Sequence, residues 1–186
     1  MRSQRARFTA GAVGLLACAA SVGGAQKNRG LEWGGDAALL HYSYSLPGGQ
    51  SSTLTSFTFP VSNVRVAFPT DGPFEPEISA GLTYTRTAGG RSVSDFNGDV
   101  ALLTELSHDM QGPRWFVRPA LGWQRTSVSG SGSESHATLG AGVGVRIGIT
   151  DRIAGRYEAR YTYLTAARGV SANIVGLLAG ISIFTR

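Results

Sequence analysis

The segment His136–Thr150, which reads HATLGAGVGVRIGIT, decides how the rest of the chain is interpreted. Its odd-numbered positions from Ala137 to Ile149 are all apolar, and its even-numbered positions are glycine or polar. A period of two residues over this length predicts a β-strand whose two faces meet different surroundings. Strands usually have about five or six residues, so this one is unusually long. We expect its apolar face to meet lipid and its glycine-rich face, with Arg146, to line a crowded interior.

The first 25 residues have the organisation of a secretory signal peptide. Arg2, Arg5 and Arg7 precede a short apolar run, and Gly23-Gly24-Ala25 supplies small residues for cleavage. Cys18, the only cysteine, follows Leu15-Leu16-Ala17 in a pattern that resembles a bacterial lipoprotein box. We expect Cys18 to leave with the signal peptide, and acylation of this cysteine is the alternative.

The charge balance argues against a nucleic-acid partner. Without residues 1–25 the chain has 14 basic and 12 acidic residues, a formal charge of +2 rather than +5. Lys27 is the only lysine, so nearly all basic residues are arginines. Arginine suits fixed, bidentate pairing with carboxylate or phosphate groups.

Turn residues divide residues 31–186 into eight segments of alternating character. The predicted strands are about Trp33–Ser45, Thr53–Phe68, Glu75–Arg86, Phe96–Ser107, Trp115–Gln124, His136–Thr150, Ile153–Tyr163 and Ala172–Phe184. Pro60 should mark a bulge or a strand end, and the Gly/Ser-rich residues 127–135 should form a loop. In the first strand the adjacent Leu39 and Leu40 leave the phase open, although Leu40, Tyr42 and Tyr44 favour one outward face.

These strands predict an all-β fold, an eight-stranded antiparallel up-and-down transmembrane barrel over residues 26–186 after a cleaved signal peptide over residues 1–25. Eight strands can close, and closure removes the sheet edges that a bilayer would not tolerate. Both chain ends then lie on the periplasmic side, with tight turns at Asp71-Gly72 and Thr150-Asp151 and Gly/Ser-rich connections outside. A soluble, lipocalin-like barrel with reversed faces is the alternative fold.

At this point the chain resembles a known group, the small eight-stranded outer-membrane β-barrels typified by the OmpA transmembrane domain. The resemblance covers about residues 31–186 and rests on the signal peptide, the eight alternating segments, and stretches such as 65–68 followed by 77–84. It implies localisation in the bacterial outer membrane and contact with the barrel-assembly machinery, which reads a terminal aromatic strand. Gly180–Phe184 is similar to that signal, but Thr185 and Arg186 follow the aromatic residue.

The main candidate site is a set of charged residues on the predicted inner face. It should form a structural network of ion pairs in the lumen, and its members are Arg65, Glu77, Asp99, Glu105, Arg118, Arg146, Arg156, Glu158 and Arg160. An eight-stranded barrel has little interior volume beyond its side chains, so an occluded lumen is expected. A selective pore or a proton path is the alternative.

The predicted outer face carries two further sets. Trp115 and Trp123 are eight residues apart on one face, about 27 Å along a strand, and with Tyr157 and Tyr163 they should form aromatic girdles at the membrane interfaces. Arg86 and Arg125 lie at external strand ends, where they could contact lipopolysaccharide phosphates or extend to the interface without a specific lipid.

No catalytic, cofactor or metal site is predicted. His41 and Ser43 share a face and resemble the His-x-Ser pair of barrel lipid A deacylases, but they lie on the first strand rather than a late one. Ser107-His108-Asp109 spells a triad that an extended chain cannot bring together, and His136 should be solvated near a loop. The sequence therefore predicts a monomeric, non-enzymatic envelope or surface-interaction protein, with a lipid-modifying enzyme or a small-solute channel as alternatives.

Overall fold

The computed structural model describes residues 30–86, 92–106, 112–130, 132–167 and 169–185. The predicted signal peptide and its Cys18 lie outside these residues, as do Ser107-His108-Asp109. The strands are β1 (Glu32–Ser45), β2 (Ser51–Ala67), β3 (Phe74–Arg86), β4 (Ser92–Glu105), β5 (Arg114–Val128), β6 (Gly132–Thr150), β7 (Ile153–Ala167) and β8 (Val170–Phe184).

The eight strands form a closed barrel in which each strand is antiparallel to its sequence neighbours and β1 closes on β8. The predicted up-and-down topology is confirmed. We call the end with Glu32 and Phe184 the periplasmic end and the opposite end the external end, following the predicted orientation. The described residues contain no helix long and apolar enough to cross a membrane.

The strands extend further than predicted, mostly toward the external end. The proposed loop over residues 127–135 is wrong, because β5 continues to Val128, β6 begins at Gly132, and Val128 and Gly132 form a ladder pair. Serine, threonine and glycine on both faces of these strand ends hide the alternation on which the prediction relied. The backbone ladder nevertheless continues, since hairpin hydrogen bonds do not require a buried face.

Apolar side chains cover the outside of the barrel and charged ones occupy the inside. On β6 the outward-facing side chains of Leu139 and Val143 are 56% and 48% exposed, whereas the inward-facing side chain of Arg146 is 1% exposed. Leu121 and Ile181 on neighbouring parts of the wall are also more than half exposed. This arrangement is inside-out relative to a water-soluble protein and is typical of a lipid-facing barrel wall.

The outward assignment of Leu40, Tyr42 and Tyr44 on β1 is wrong. These residues face the interior, and Trp33 and Leu39 are the exposed positions, at 46% and 44%. The phase of β1 follows from its charged residues, because Glu32 and Asp36 are buried among interior arginines. Gly176 on β8 lies opposite Leu40 and leaves room for this side chain.

The β1–β2 ladder shifts register opposite Pro60, as the sequence predicts. Between two successive inward positions of β1 the paired residue of β2 jumps from Asn63 to Thr58. Proline has no N–H to donate to a ladder, so such a shift is expected beside it. The shift also exchanges the faces of β2, since Val64 faces outward below Pro60 and Phe57 faces outward above it.

Candidate functional site

An interior ion-pair network is the most distinctive feature of the barrel. Among the described residues it joins six arginines and seven carboxylates from β1 to β7, namely Glu32, Asp36, Arg65, Glu75, Glu77, Asp99, Glu105, Arg114, Arg118, Arg146, Arg156, Glu158 and Arg160. Inward positions of neighbouring strands converge in a narrow barrel, so these side chains meet. The numbers of positive and negative groups must be nearly equal, because an unpaired buried charge costs several kcal/mol.

Glu77 lies at the centre of the network and is 0% exposed. Its Oε1 accepts a hydrogen bond from Arg118 Nε at 2.7 Å, and its Oε2 accepts one from Arg156 Nη1 at 2.5 Å. Arg65 Nε lies 3.7 Å from Oε2. Each arginine also contacts a second acidic residue, in the pairs Arg65–Asp36, Arg118–Asp99 and Arg156–Glu158. One carboxylate on β3 is therefore joined to three other strands, β2, β5 and β7, through three guanidinium groups.

A second cluster surrounds Arg146 nearer the periplasmic end. Arg146 donates two hydrogen bonds to the carboxylate of Glu75, at 2.9 and 2.7 Å, and its Nη2 lies 2.8 Å from Glu32 Oε2. Glu105 lies 3.3 Å from both Arg146 and Arg114, with longer and more exposed contacts. This cluster borders a cavity of about 570 Å³ at the periplasmic end.

Phe116 connects the two clusters. Its side chain is completely buried, and its ring centre lies 4.6 Å from Arg156 Cζ and 5.7 Å from Arg146 Cζ. A guanidinium group over an aromatic face is attracted by the ring quadrupole, and the attraction is stronger away from water. The ring therefore fills the space between two like charges with a favourable contact.

Glycines on the inner face make room for the long charged side chains. A Cβ atom at Gly142 would overlap the carboxylate of Glu158, and one at Gly34 would overlap the guanidinium group of Arg65. By contrast, a Cβ atom at Gly148, on the same face of β6, would meet nothing within 4 Å. Several inner-face glycines are therefore required by the ion pairs rather than by the backbone.

On the external side of the network, the barrel interior next to β1, β7 and β8 is apolar. Leu164, Ala172 and Ile174 are buried, and they pack against inward residues of β1 that include Tyr42 and Tyr44. We call this set, with Leu40, the apolar interior cluster. The two tyrosine rings stack with their centres 5.8 Å apart. Charged contacts therefore occupy the periplasmic half of the interior, and aromatic and aliphatic contacts occupy part of the external half.

The nine predicted lumen residues all lie in the network. Six are nearly inaccessible, namely Arg65, Glu77, Arg118, Arg146, Arg156 and Glu158. The side chains of Asp99, Glu105 and Arg160 are more open, at 22%, 24% and 14% exposed. Sequence reasoning missed four members, which are Glu32, Asp36, Glu75 and Arg114. Glu75 shares a face with Glu77, and this i, i+2 spacing could have identified it.

The predicted girdle residues are placed on the outer wall. Trp115, Trp123 and Tyr157 are 52%, 46% and 53% exposed, whereas Tyr163 is half-buried. Arg125 is exposed near the external end and donates a hydrogen bond to Ser133 Oγ at 3.1 Å. The side chain of Arg86 lies outside the described residues. Contact of these residues with lipid stays a prediction.

The histidines differ from their predicted surroundings. His136 is only 9% exposed, and its Nδ1 lies 2.9 Å from the carbonyl oxygen of Thr165, so the prediction of a solvated ring is wrong. His136 faces inward because β6 continues past it to Gly132. His41 is exposed on the outer wall, and its Nδ1 lies 3.0 Å from the hydroxyl of Thr55 rather than from a carboxylate.

Comparison with known proteins gives a fold but no family model, and no curated protein matches in sequence. Neisserial surface protein A matches with 17% identity and a TM-score of 0.58, over 82% of this chain and 96% of that protein. The chain has the fold of the small outer-membrane β-barrels. Ail of Yersinia pestis matches the same outer-membrane barrel fold with 13% identity and a TM-score of 0.51, over 84% of this chain and 100% of that one.

Proposed function

We propose that this protein is a non-enzymatic outer-membrane barrel with an occluded lumen, which serves envelope structure or surface interaction. The observation that carries this proposal is the interior network. One ion pair joins Glu32 on β1 to Arg146 on β6. A chain of ion pairs, in which arginines lie between the carboxylates, connects Asp36 on β1 with Glu77 on β3 and Asp99 on β4. An eight-stranded barrel encloses little more than its own side chains, so contacts of this kind leave no wide aqueous path.

The outer wall supports residence in lipid. Its exposed leucines, valines and isoleucines would be costly in water, and a closed ladder satisfies the backbone where lipid cannot. Lipid and lipopolysaccharide are therefore the proposed surroundings, and Arg125, which is exposed near the external end, is proposed to bind a phosphate group. The eight strands of one chain close on one another, which is consistent with a monomer.

Recognition by the barrel-assembly machinery is proposed from the last strand. Ile181 and Ile183 face outward and are 53% and 51% exposed, so β8 presents an apolar terminal stripe. Phe184 is out of phase with this stripe and lines the periplasmic cavity. We therefore assign the recognised outward positions to Ile181 and Ile183 rather than to Phe184.

Three assays test this proposal, one with the purified mature chain in planar bilayers and two with cells that produce it. In planar lipid bilayers we expect no stepwise conductance, and regular single-channel steps would overturn the occluded lumen in favour of a small-solute channel. In cell fractionation we expect the protein with outer membranes, with a gel mobility that changes on boiling. Recovery in the soluble fraction would overturn the membrane assignment. Altered lipid A chemistry that depends on His41 would overturn the non-enzymatic role.

A further inference from the structure

The cluster around Arg146 contains more carboxylates than guanidinium groups. Among the described residues its acids are Glu32, Glu75 and Glu105, and its arginines are Arg114 and Arg146. The rest of the network has four groups of each kind, namely Asp36, Glu77, Asp99, Glu158, Arg65, Arg118, Arg156 and Arg160. The excess acid of the network therefore lies at its periplasmic end.

Glu32 and Glu75 compete for one nitrogen atom of Arg146. Glu32 Oε2 lies 2.8 Å from Arg146 Nη2, and Glu75 Oε1 lies 2.7 Å from the same atom. Glu75 also accepts a second hydrogen bond, from Arg146 Nη1 at 2.9 Å. The two acids are therefore direct neighbours, and Glu75 has the better share of the guanidinium group.

Glu32 is buried without a hydrogen bond. Its side chain is 0% exposed, and neither of its carboxylate oxygens has a hydrogen-bond partner among the described residues. Its contact with Arg146 Nη2 is short but does not have the geometry of a hydrogen bond. Burial of a carboxylate in this state is costly, because the group has lost its water and gained no donor in return.

The other groups that face Glu32 do not supply that donor. Arg65 on β2 lies 3.7 Å from Glu32 Oε1, and it donates instead to Asp36 at 2.5 Å and to Ser182 Oγ at 2.6 Å. The hydroxyl group of Ser182 on β8 is a neighbour of Glu32 as well, without hydrogen-bond geometry. Glu75 on β3 is the remaining facing group and is itself an acid. A proton between the two acids would satisfy both.

We propose that Glu32 and Glu75 bind one proton between them at neutral pH, with Glu32 as the carboxylic acid that donates a hydrogen bond to Glu75. Two carboxylates that share a site do not readily both ionise, and a poorly partnered buried acid takes up a proton instead. The proton leaves Glu75 and Glu105 as the two negative groups opposite Arg114 and Arg146. Its loss adds one unpaired negative charge to the interior, so this end of the barrel is sensitive to pH.

The direct test observes the proton by NMR. The mature chain is folded in lipid nanodiscs with ¹³C at the side-chain carboxyl carbon of glutamate, and six glutamates in the chain give six signals. At neutral pH we expect one signal at the position of a carboxylic acid, which moves to the carboxylate position as the pH rises and is absent in Glu32→Gln. Glu77, which three arginines surround, should remain a carboxylate throughout. Six carboxylate signals at neutral pH in the unmodified chain would overturn the proposal.

The second test measures unfolding against pH for the unmodified chain and for Glu32→Gln. Glutamates of the unfolded chain are ionised at neutral pH, so the folded state binds one proton more and its stability falls as the pH rises. One proton allows the folding equilibrium constant to fall by up to about tenfold per pH unit. In Glu32→Gln the amide donates to Glu75 permanently, so this dependence should be lost.

Glu134→Gln is the matched control, because Glu134 lies on β6 outside the Arg146 cluster. It should keep the pH dependence of the unmodified chain. Histidines titrate in the same range, but all three are retained in every variant, so their contribution is common to the chains compared. Equal pH dependence of the unmodified chain and Glu32→Gln would overturn the proposal, and the NMR test of the unmodified chain decides it if Glu32→Gln does not fold.

Discussion

Replacement of Glu77 by glutamine tests the interior network most directly. The substitution keeps the side-chain volume but removes the charge that three guanidinium groups share, with contacts of 2.7, 2.5 and 3.7 Å. Breaking a buried pair by removing one partner typically costs about 3–5 kcal/mol, because the remaining charge stays in a low-dielectric interior. We therefore expect Glu77→Gln to lower the free energy of unfolding by about that amount.

The assay is equilibrium unfolding by urea in lipid vesicles, followed by tryptophan fluorescence and gel mobility. Asp151→Asn is the matched control, since it makes the same change of charge in an exposed turn and should cost less than about 0.5 kcal/mol. A double substitution with Arg118→Gln should cost less than the sum of the two single ones, because the residues are in contact. A loss below about 1 kcal/mol for Glu77→Gln, in a barrel that still folds, would refute the reasoning.

Three other predictions use the same unfolding assay. Gly142→Ala should destabilise the barrel through overlap with Glu158, whereas Gly148→Ala should be tolerated because its site is open; equal effects would contradict the role of the glycines. Leu121→Arg on the outer wall should cost about 2–4 kcal/mol in a bilayer, and a neutral result would argue for water outside. Trp123→Ala should cost stability in vesicles but little in detergent if its ring lies at the interface, and equal losses would contradict the girdle.

Much of the fold is readable in the sequence because a membrane barrel imposes one simple pattern. Alternation in β5, β6, β7 and β8 identifies both faces of each strand, and the inner face already contains most of the interior arginines and carboxylates. The pattern is clear in these strands because lipid and a charged interior demand opposite chemistry at successive residues. Glycines on the inner face carried the same information, since bulky arginines need adjacent space.

The pattern was less informative where both faces have similar chemistry. The β1 strand has leucine and tyrosine inside and leucine and histidine outside, so its hydrophobicity could not define the phase. The buried contacts of Glu32 and Asp36 define it instead. For the same reason the sequence predicts a loop at the Ser/Gly-rich ends of β5 and β6 and a solvated ring for His136, and both predictions are wrong.

The alternating pattern by itself determined an eight-stranded barrel with an apolar outside and a charged inside, because each strand's two faces are set by residues two apart in the chain. Only the tertiary structure decided which charges meet. Glu77 and Arg156 are 79 residues apart in sequence, and their contact depends on barrel closure and on the register of every strand between them.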